Sequence, residues 1–250
     1  MPRSKLRQHN LQNYLQVLRD PVFWSGVGRV LLYGLIQIPV MLLLALGLAL
    51  LMDSATVRFR PVLRLIFFAP YAVPGIVAAL LWGFFYNPEL SPIVRAFTAA
   101  HLDSPNFLSA GNVLWSIANI AVWQWAGYNM LIIFAGLQAI APELYEAAEL
   151  DGCTGWQIAR HIKIPLIAPT LVLTAIFSVI GTLQLFTEPV VIRAISTTIT
   201  SSYTPNLYAY NTAFGNNNYH YAAAMAALLA VVTFVFSFGL LRATQRYSGV

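Results

Sequence analysis

The stretch Val30-Leu-Leu-Tyr-Gly-Leu-Ile-Gln-Ile-Pro-Val-Met-Leu-Leu-Leu-Ala-Leu-Gly-Leu-Ala-Leu-Leu-Met52 contains no Asp, Glu, Lys or Arg. A helix of about 20 apolar residues crosses the hydrocarbon core of a bilayer, so this one stretch is long enough to span a membrane. Further charge-free runs follow at residues 65–88, 104–142, 164–187 and 194–241. Over the whole chain 58% of residues are hydrophobic and 9% charged, whereas soluble domains carry roughly 25% charged residues. Too little polar surface is left to coat a globule in water. In lipid, only helices and closed barrels satisfy their own backbone, and solid apolar blocks are unlike the alternating ~10-residue strands of a barrel. The fold class read from sequence is therefore all-α: a polytopic membrane helix bundle.

Polar loops at Ser104-Pro-Asn106 and Asn216-Asn-Asn218 interrupt the two longest runs. The predicted spans become about 24–52, 65–86, 113–140, 166–187 and 220–241, five helices in a single transmembrane domain over 1–250. Lys and Arg concentrate in cytoplasmic loops. Arg58, Arg60 and Arg64 follow the first span, Arg160 and Lys163 the third, and Arg242 and Arg246 the last, so that face is read as cytoplasmic; the opposite loops hold Arg95 and Arg193. Five spans place Arg3, Lys5, Arg7 and Arg19 outside, against this rule. The net charge of +5 is thus a topology signal. No interleaved basic and aromatic patch argues for nucleic acid. Residues 11–24, with Leu11, Tyr14, Leu15 and Leu18 at helical spacing, read either as a short interfacial helix or as an amphipathic turn leading into the first span. They lack the apolar core and cleavage site of a signal peptide.

Several function classes are excluded or weakened. Cys153 is the single cysteine, so no intramolecular disulfide framework exists, and no zinc-type spacing is present. His9, His101, His161 and His220 fall in loops, which leaves no metal cluster and no nucleophile–base pair within the spans. There is no Gly-x-x-x-x-Gly-Lys-Ser/Thr, so the chain cannot cradle a nucleotide by the P-loop route. The charge-free span interiors offer no proton or sodium relay, which counts against a secondary transporter.

The most acidic segment is Glu143-Leu-Tyr-Glu146-Ala147-Ala148-Glu149-Leu150-Asp151-Gly152, followed by Cys-Thr-Gly155-Trp156 and then Arg160-His-Ile162-Lys-Ile164-Pro165. Pro142 suits a first helical turn, and Glu143, Glu146 and Glu149 favour that end through the helix dipole. Gly152 can take the left-handed conformation that ends the helix. A second helix from about Thr154 is expected to stop before Pro165. Residues 142–165 therefore predict a helix–turn–helix elbow between two spans, able to carry force from a soluble partner into the membrane.

Glu146-Ala-Ala, Asp151-Gly152, Ile162 and Pro165 together resemble the EAA loop of binding-protein-dependent ABC importer permeases. Leu65-Ile-Phe-Phe-Ala-Pro70-Tyr-Ala-Val-Pro74, Trp82, Asn87-Pro88, Ala213-Phe214 and Ala222-Ala-Ala are similar to the carbohydrate-uptake branch, of the maltose and glycerol-3-phosphate type, over about residues 10–246. The resemblance implies one half of a heterodimeric pore in a bacterial inner membrane, translocating a sugar or related polyol by alternating access. It implies as partners a second permease, an ATPase dimer that binds ATP and Mg, and an extracytoplasmic solute-binding protein. The chain itself is then a non-catalytic subunit that binds no cofactor. By the same resemblance Glu146, Ala147, Ala148, Asp151, Gly152, Ile162 and Pro165 couple to the ATPase. The branch usually has six spans, with one more helix ahead of the segment like Leu11–Trp24. An altered start is the expectation, with a five-span protein as the alternative. Ser91 replaces a usual Gly, and Ser196-Thr-Thr-Ile-Thr-Ser-Ser202 stands where Gly-Gly-Pro is usual. A secondary transporter, or a permease for a non-sugar solute, is the runner-up.

For a substrate path, neutral hydrogen-bonding groups at bilayer depth are the candidates, since polar groups are costly there. Gln124 and Tyr128 share a helix face, as do Ser178 and Thr182, with Gln184 near. Beside Trp123 and Trp125 they suit an uncharged polyol, whose hydroxyls need partners while its C–H faces stack on rings. The alternative is helix–helix glue.

Overall fold

The computed structural model describes residues 12–54 and 57–248. Leu11, the early basic residues Arg3, Lys5 and Arg7, and His9 lie outside them. Among the described residues the secondary structure is helical, without strands. The helices are α1 (12–18), α2 (Pro21–Asp53), α3 (Arg60–Ala72), α4 (Gly75–Tyr86), α5 (Pro92–Ala99), α6 (Val113–Gln138), α7 (Glu143–Leu150) and α8 (Gly155–Ile158). After a π turn at Ala159–Lys163 and a short helical piece at Ile164–Leu166 come α9 (Ala168–Leu183), α10 (Thr187–Ile192), α11 (Pro205–Tyr210) and α12 (Tyr219–Ser248).

Four segments are long and apolar enough to cross a membrane: Pro21–Asp53, Val113–Gln138, Ala168–Ile192 and Tyr219–Thr244. Their outward side chains are apolar: Leu35 and Leu43 of α2 and Phe234 of α12 are each about two-thirds exposed or more (73%, 69% and 67%). In a solvent of lipid tails such exposure carries no penalty. In α6, by contrast, 56% of the most apolar window is buried, which makes it the best-enclosed of the four.

The expected span over 65–86 is present as a sharply bent pair of helices, which together make up a fifth apolar segment. α3 and α4 meet at 93°, with Val73 extended (φ −76°, ψ 126°). Pro74 disfavours the helical conformation at the residue before it and has no N–H to continue the ladder. Each half is 13 or 12 residues long, about 20 Å at 1.5 Å per residue, too short to cross alone. A second correction concerns charge. α2 begins at Pro21 rather than near 24, because Asp20 caps it: Val22 N donates to Asp20 Oδ1 at 2.8 Å. Arg29 lies inside the first span by the predicted bounds of 24–52 and by the observed ones alike, so that interior is not charge-free. Its Nη1 donates to Tyr203 O at 2.6 Å and its guanidinium sits over the Tyr203 ring.

The chain forms two compact units. The first comprises the chain up to Ile36 with Pro74–Ile120 and Val179–Ser237. One core of this unit gathers Val17, Phe23, Val27, Tyr221, Ala224, Met225 and Leu229. α1 keeps Val17 buried but leaves Tyr14, Leu15 and Leu18 exposed, the apolar face expected of a helix lying at an interface. Ser91, in place of the usual Gly, caps α5: its Oγ accepts from Val94 N at 3.2 Å and donates to Phe85 O at 2.5 Å. Ser196 and Thr198, in the altered external loop, both donate to Leu108 O.

The second unit comprises Gln37–Val73, Ala121–Ser178 and Phe238–Val250. Its core gathers Ala45, Ala49 and Met52 of α2, Met130, Ile133, Phe134 and Leu137 of α6, and Ile167. Small residues set the distance at which its helices pass. A Cβ on Gly127 of α6 would lie 1.8 Å from the Phe67 carbonyl oxygen of α3, so only glycine permits that crossing.

Candidate coupling elbow and substrate path

The elbow is built from local hydrogen bonds. α7 starts after Pro142 with Glu143 and Glu146 in its first turn. It ends with Gly152 at φ +80°, a region that side chains with a Cβ rarely adopt. Gly152 N donates to Glu149 O at 3.0 Å and Cys153 N to Ala148 O at 2.9 Å. This pair of bonds is the Schellman closure of a helix C-terminus, and it satisfies two otherwise orphaned carbonyls. Two residues on, Thr154 caps α8 in a reciprocal box: Thr154 N donates to Gln157 Oε1 at 2.7 Å, and Gln157 N to Thr154 Oγ1 at 3.4 Å. The turn between the arms is thus closed from both sides.

The second arm departs from expectation. Helical backbone does not stop before Pro165; it passes through the π turn into Ile164–Leu166, with Ile164 N donating to Ala159 O. The wider turn accommodates a residue that lacks an N–H without ending the helix, as π turns often do. Ala148 is buried, while Glu146, Ala147, Asp151 and Gly152 are exposed and Ile162 is half-buried; Pro165 is exposed. The elbow also displays Leu144, Leu150 and Trp156, which are 47%, 90% and 68% exposed. These large apolar side chains stand out on an otherwise acidic and polar elbow.

Residues the motif does not include fix the elbow to the membrane helices of its unit. Lys163 Nζ pairs with Asp53 Oδ2 at the C-terminal end of α2, and Gln138 Nε2, at the end of α6, donates to Asp53 Oδ1 at 2.8 Å. Lys163 also lies 4.7 Å from the Tyr145 ring centroid. Burial first, and then the Asp53 charge, push the Tyr145 phenol above its ordinary value, so it stays neutral. The loops after the first and third spans therefore share one face, in agreement with the charge pattern. Sequence reading missed Asp53, since its partners are 85 and 110 residues away. Its one available signal was a lone carboxylate closing a charge-free run.

Among the substrate-path candidates, Trp123, Gln124, Tyr128 and Ser178 belong to the second unit, and Thr182 and Gln184 to the first. Gln124 is buried, and its Nε2 donates to Val73 O at 2.9 Å. It thereby satisfies the carbonyl freed where α3 breaks at Pro74. Tyr128 stacks on Tyr71 (4.5 Å between centroids, 19° between planes), and Trp125 meets both rings edge-on. Ser178 Oγ donates to Thr174 O one turn earlier in α9. Thr182 is half-buried and Gln184 exposed.

Asp20 is a further polar site that sequence reading did not pick out, although Asp followed by Pro is a recognisable helix start. Tyr208 Oη and Tyr221 Oη donate to its Oδ2 at 3.0 and 2.7 Å. Burial acts to raise this carboxyl's pKa, but the hydrogen bonds from Tyr221, the Val22 N–H and Tyr208 outweigh it and hold the group below its ordinary value.

Residues 42–247 match the family described as binding-protein-dependent transport system inner membrane components. A probable ABC transporter permease protein of Pyrococcus horikoshii is 34% identical over 232 residues, covering 90% of this chain and 77% of that one. The lactose transport system permease protein LacF of Rhizobium radiobacter is 28% identical over 231 residues, with the same coverage of each chain. A solved bacterial ABC transporter involved in importing the acidic polysaccharide alginate superposes with a TM-score of 0.85 over 94% of this chain and 83% of its own, at 21% identity; at that identity the likeness is one of fold. The EAA-type elbow, the long apolar helices and these matches agree: the chain is a multi-pass membrane protein of the binding-protein-dependent transport system inner membrane component family.

Proposed function

We propose that this chain is one permease of a heterodimeric ABC importer in a bacterial inner membrane, and that it moves a neutral sugar or related polyol inward by alternating access. The carrying observation is the elbow: a closed turn with an apolar tip, tied to α2 and α6 through Asp53. An ATPase pair, which supplies ATP binding with Mg, seats the first arm in a groove on its surface through the exposed Glu146 and Ala147, while Ala148 faces inward and packs within this chain. Asp151 and Gly152 make the turn, and Ile162 and Pro165 carry the displacement into α9. A solute-binding protein delivers the sugar on the opposite side. The chain provides pathway and lever, and hydrolysis belongs to its partner.

Trp123, Gln124, Tyr128, Ser178, Thr182 and Gln184 supply the path. Gln124 keeps its Oε1 and one N–H beyond the bond to Val73, and the Tyr71–Tyr128 stack offers an aromatic face to a sugar ring. The relatives named for lactose, arabinooligosaccharides and trehalose/maltose support a saccharide cargo.

The test uses the assembled complex in proteoliposomes with its ATPase pair and binding protein. Gly152→Val should leave the complex intact but abolish saccharide uptake, because a β-branched residue resists φ near +80°. Wild-type uptake in that variant would overturn the coupling role.

A further inference from the structure

A second cleft, apart from the candidate path, opens in the first unit at the N-terminal end of α6, the end that the charge pattern puts outside. It encloses about 500 Å³, within the roughly 300–1,000 Å³ of small-ligand sites. Its walls are aromatic and carboxamide. Trp82, Tyr86 and Phe107 form a tilted row, with centroids 5.6 Å apart between the first two and 5.1 Å between the last two. Trp115, 37% exposed, and the amides of Asn112 and Asn119 join them, with Ile93, Pro105 and Ser116 making up the rest of the lining. No lining residue carries a formal charge.

The polar groups are oriented by a fixed relay. Asn119 Nδ2 donates to Tyr86 Oη at 2.8 Å, Tyr86 Oη donates to Ser116 O at 3.0 Å, and Ser116 Oγ donates to Phe107 O at 2.8 Å. Asn112 Nδ2 donates to Asn106 O at 2.9 Å. Because the Tyr86 hydroxyl is committed as a donor, it must accept from Asn119, which fixes that amide's orientation. Each carboxamide thus spends one N–H on the wall and presents its Oδ1 and remaining N–H outward. Asn112 and Asn119 are both exposed. Exposed amides near the end of a spanning helix are costly in lipid, so the cleft faces water or a polar occupant. Paired neutral donors and acceptors beside flat rings match a molecule with hydroxyls on its edge and C–H groups on its face. An anion would find no cation there.

We infer that this cleft is an extracytoplasmic binding site for a neutral saccharide unit, separate from the path through Gln124 and Tyr128. Trp115 with Trp82 and Phe107 stacks on the ring, Asn112 and Asn119 bond its hydroxyls, and the buried Tyr86 orients Asn119 from behind. The inference rests on the reading of the chain as a sugar permease.

The experiment uses the full complex in nanodiscs, probed with neutral maltotriose and lactose and with an acidic trigalacturonate. Saturation-transfer NMR without the binding protein reads ligand contact, and proteoliposome uptake with it reads KM and kcat. Trp115→Ala and Asn112→Ala should weaken the NMR signal of a neutral saccharide and raise its KM roughly three- to ten-fold. kcat and the yield of complex should hold, and trigalacturonate should give no signal. The yield and melting temperature of each complex, measured alongside, separate a lost ligand contact from a lost wall contact such as that of Asn112 with Asn106. Wild-type NMR signal and KM in both variants, or equal signal from trigalacturonate, would overturn the site while leaving the sugar reading intact. No saccharide uptake by the wild-type complex would overturn both.

Discussion

Lys163, the last residue of the π turn, is ion-paired with Asp53, the last residue of α2, and the Gln138 amide holds the other carboxylate oxygen. Both charged side chains are largely shielded, Lys163 to 16% and Asp53 to 8% exposure. Removing one partner strands the other, whereas removing both does not.

Asp53→Ala alone should therefore lower the melting temperature of the complex, at a cost of about 1–3 kcal/mol. The double variant Asp53→Ala with Lys163→Met should recover part of that loss. Uptake per ATP hydrolysed should fall in both, because the elbow loses its tie to α2. A double variant as unstable as the sum of its single changes would mean that the pair contributes nothing as a pair.

Gly127→Ala tests the crossing of α3 and α6. The added Cβ meets backbone, not a movable side chain, so the helices must separate, at a cost of about 3 kcal/mol or more. Gly181→Ala is the control, since nothing lies within 4 Å of a Cβ there. Thermal aggregation curves should show a large drop for the first and none for the second.

Gln124 and Tyr128 separate by chemistry. Gln124→Leu leaves the Val73 carbonyl without its partner and should reduce assembled complex, by about 1–3 kcal/mol if the carbonyl stays dry and nearer 0.6 kcal/mol if it finds another donor. Tyr128→Phe keeps the ring stack and removes only the hydroxyl, so assembly should hold while the ranking of transported sugars changes. An unchanged ranking in Tyr128→Phe, measured by competitive uptake, would remove that hydroxyl from the path.

Cys153, the single cysteine of the chain, sits half-buried at the elbow turn. A membrane-impermeant maleimide should label it in inside-out vesicles and not in right-side-out ones, and bound ATPase should slow the labelling. Labelling from the outside would reverse the assigned orientation.

What was legible in the sequence was local. Asp151-Gly152 and Thr154 mark the end of one helix and the start of the next within four residues, so the elbow could be read with its turn in place. The membrane class followed from composition. Pro74 was visible too, yet the bend within the span over 65–86 is legible only when the proline is given its full effect on Val73. Pro165 misled in the opposite direction, because a π turn absorbs it and no residue type announces such a turn. Illegible altogether were partners distant in the chain: Gln124 with Val73, Asp53 with Lys163, Arg29 with Tyr203. No periodicity encodes those pairings, since each depends on how helices pack.

The double closure of the elbow turn has a consequence for timing. A segment that must fold on its partner spends part of the interaction on ordering itself, and it yields before it transmits. Here the bonds from Gly152 and Cys153 on one side and the Thr154–Gln157 box on the other hold the bend at rest. In the proposed coupling role such an elbow would meet a partner already stiff, as a cam rather than a hinge, and a displacement at its tip would reach α9 without first being used to shape the tip.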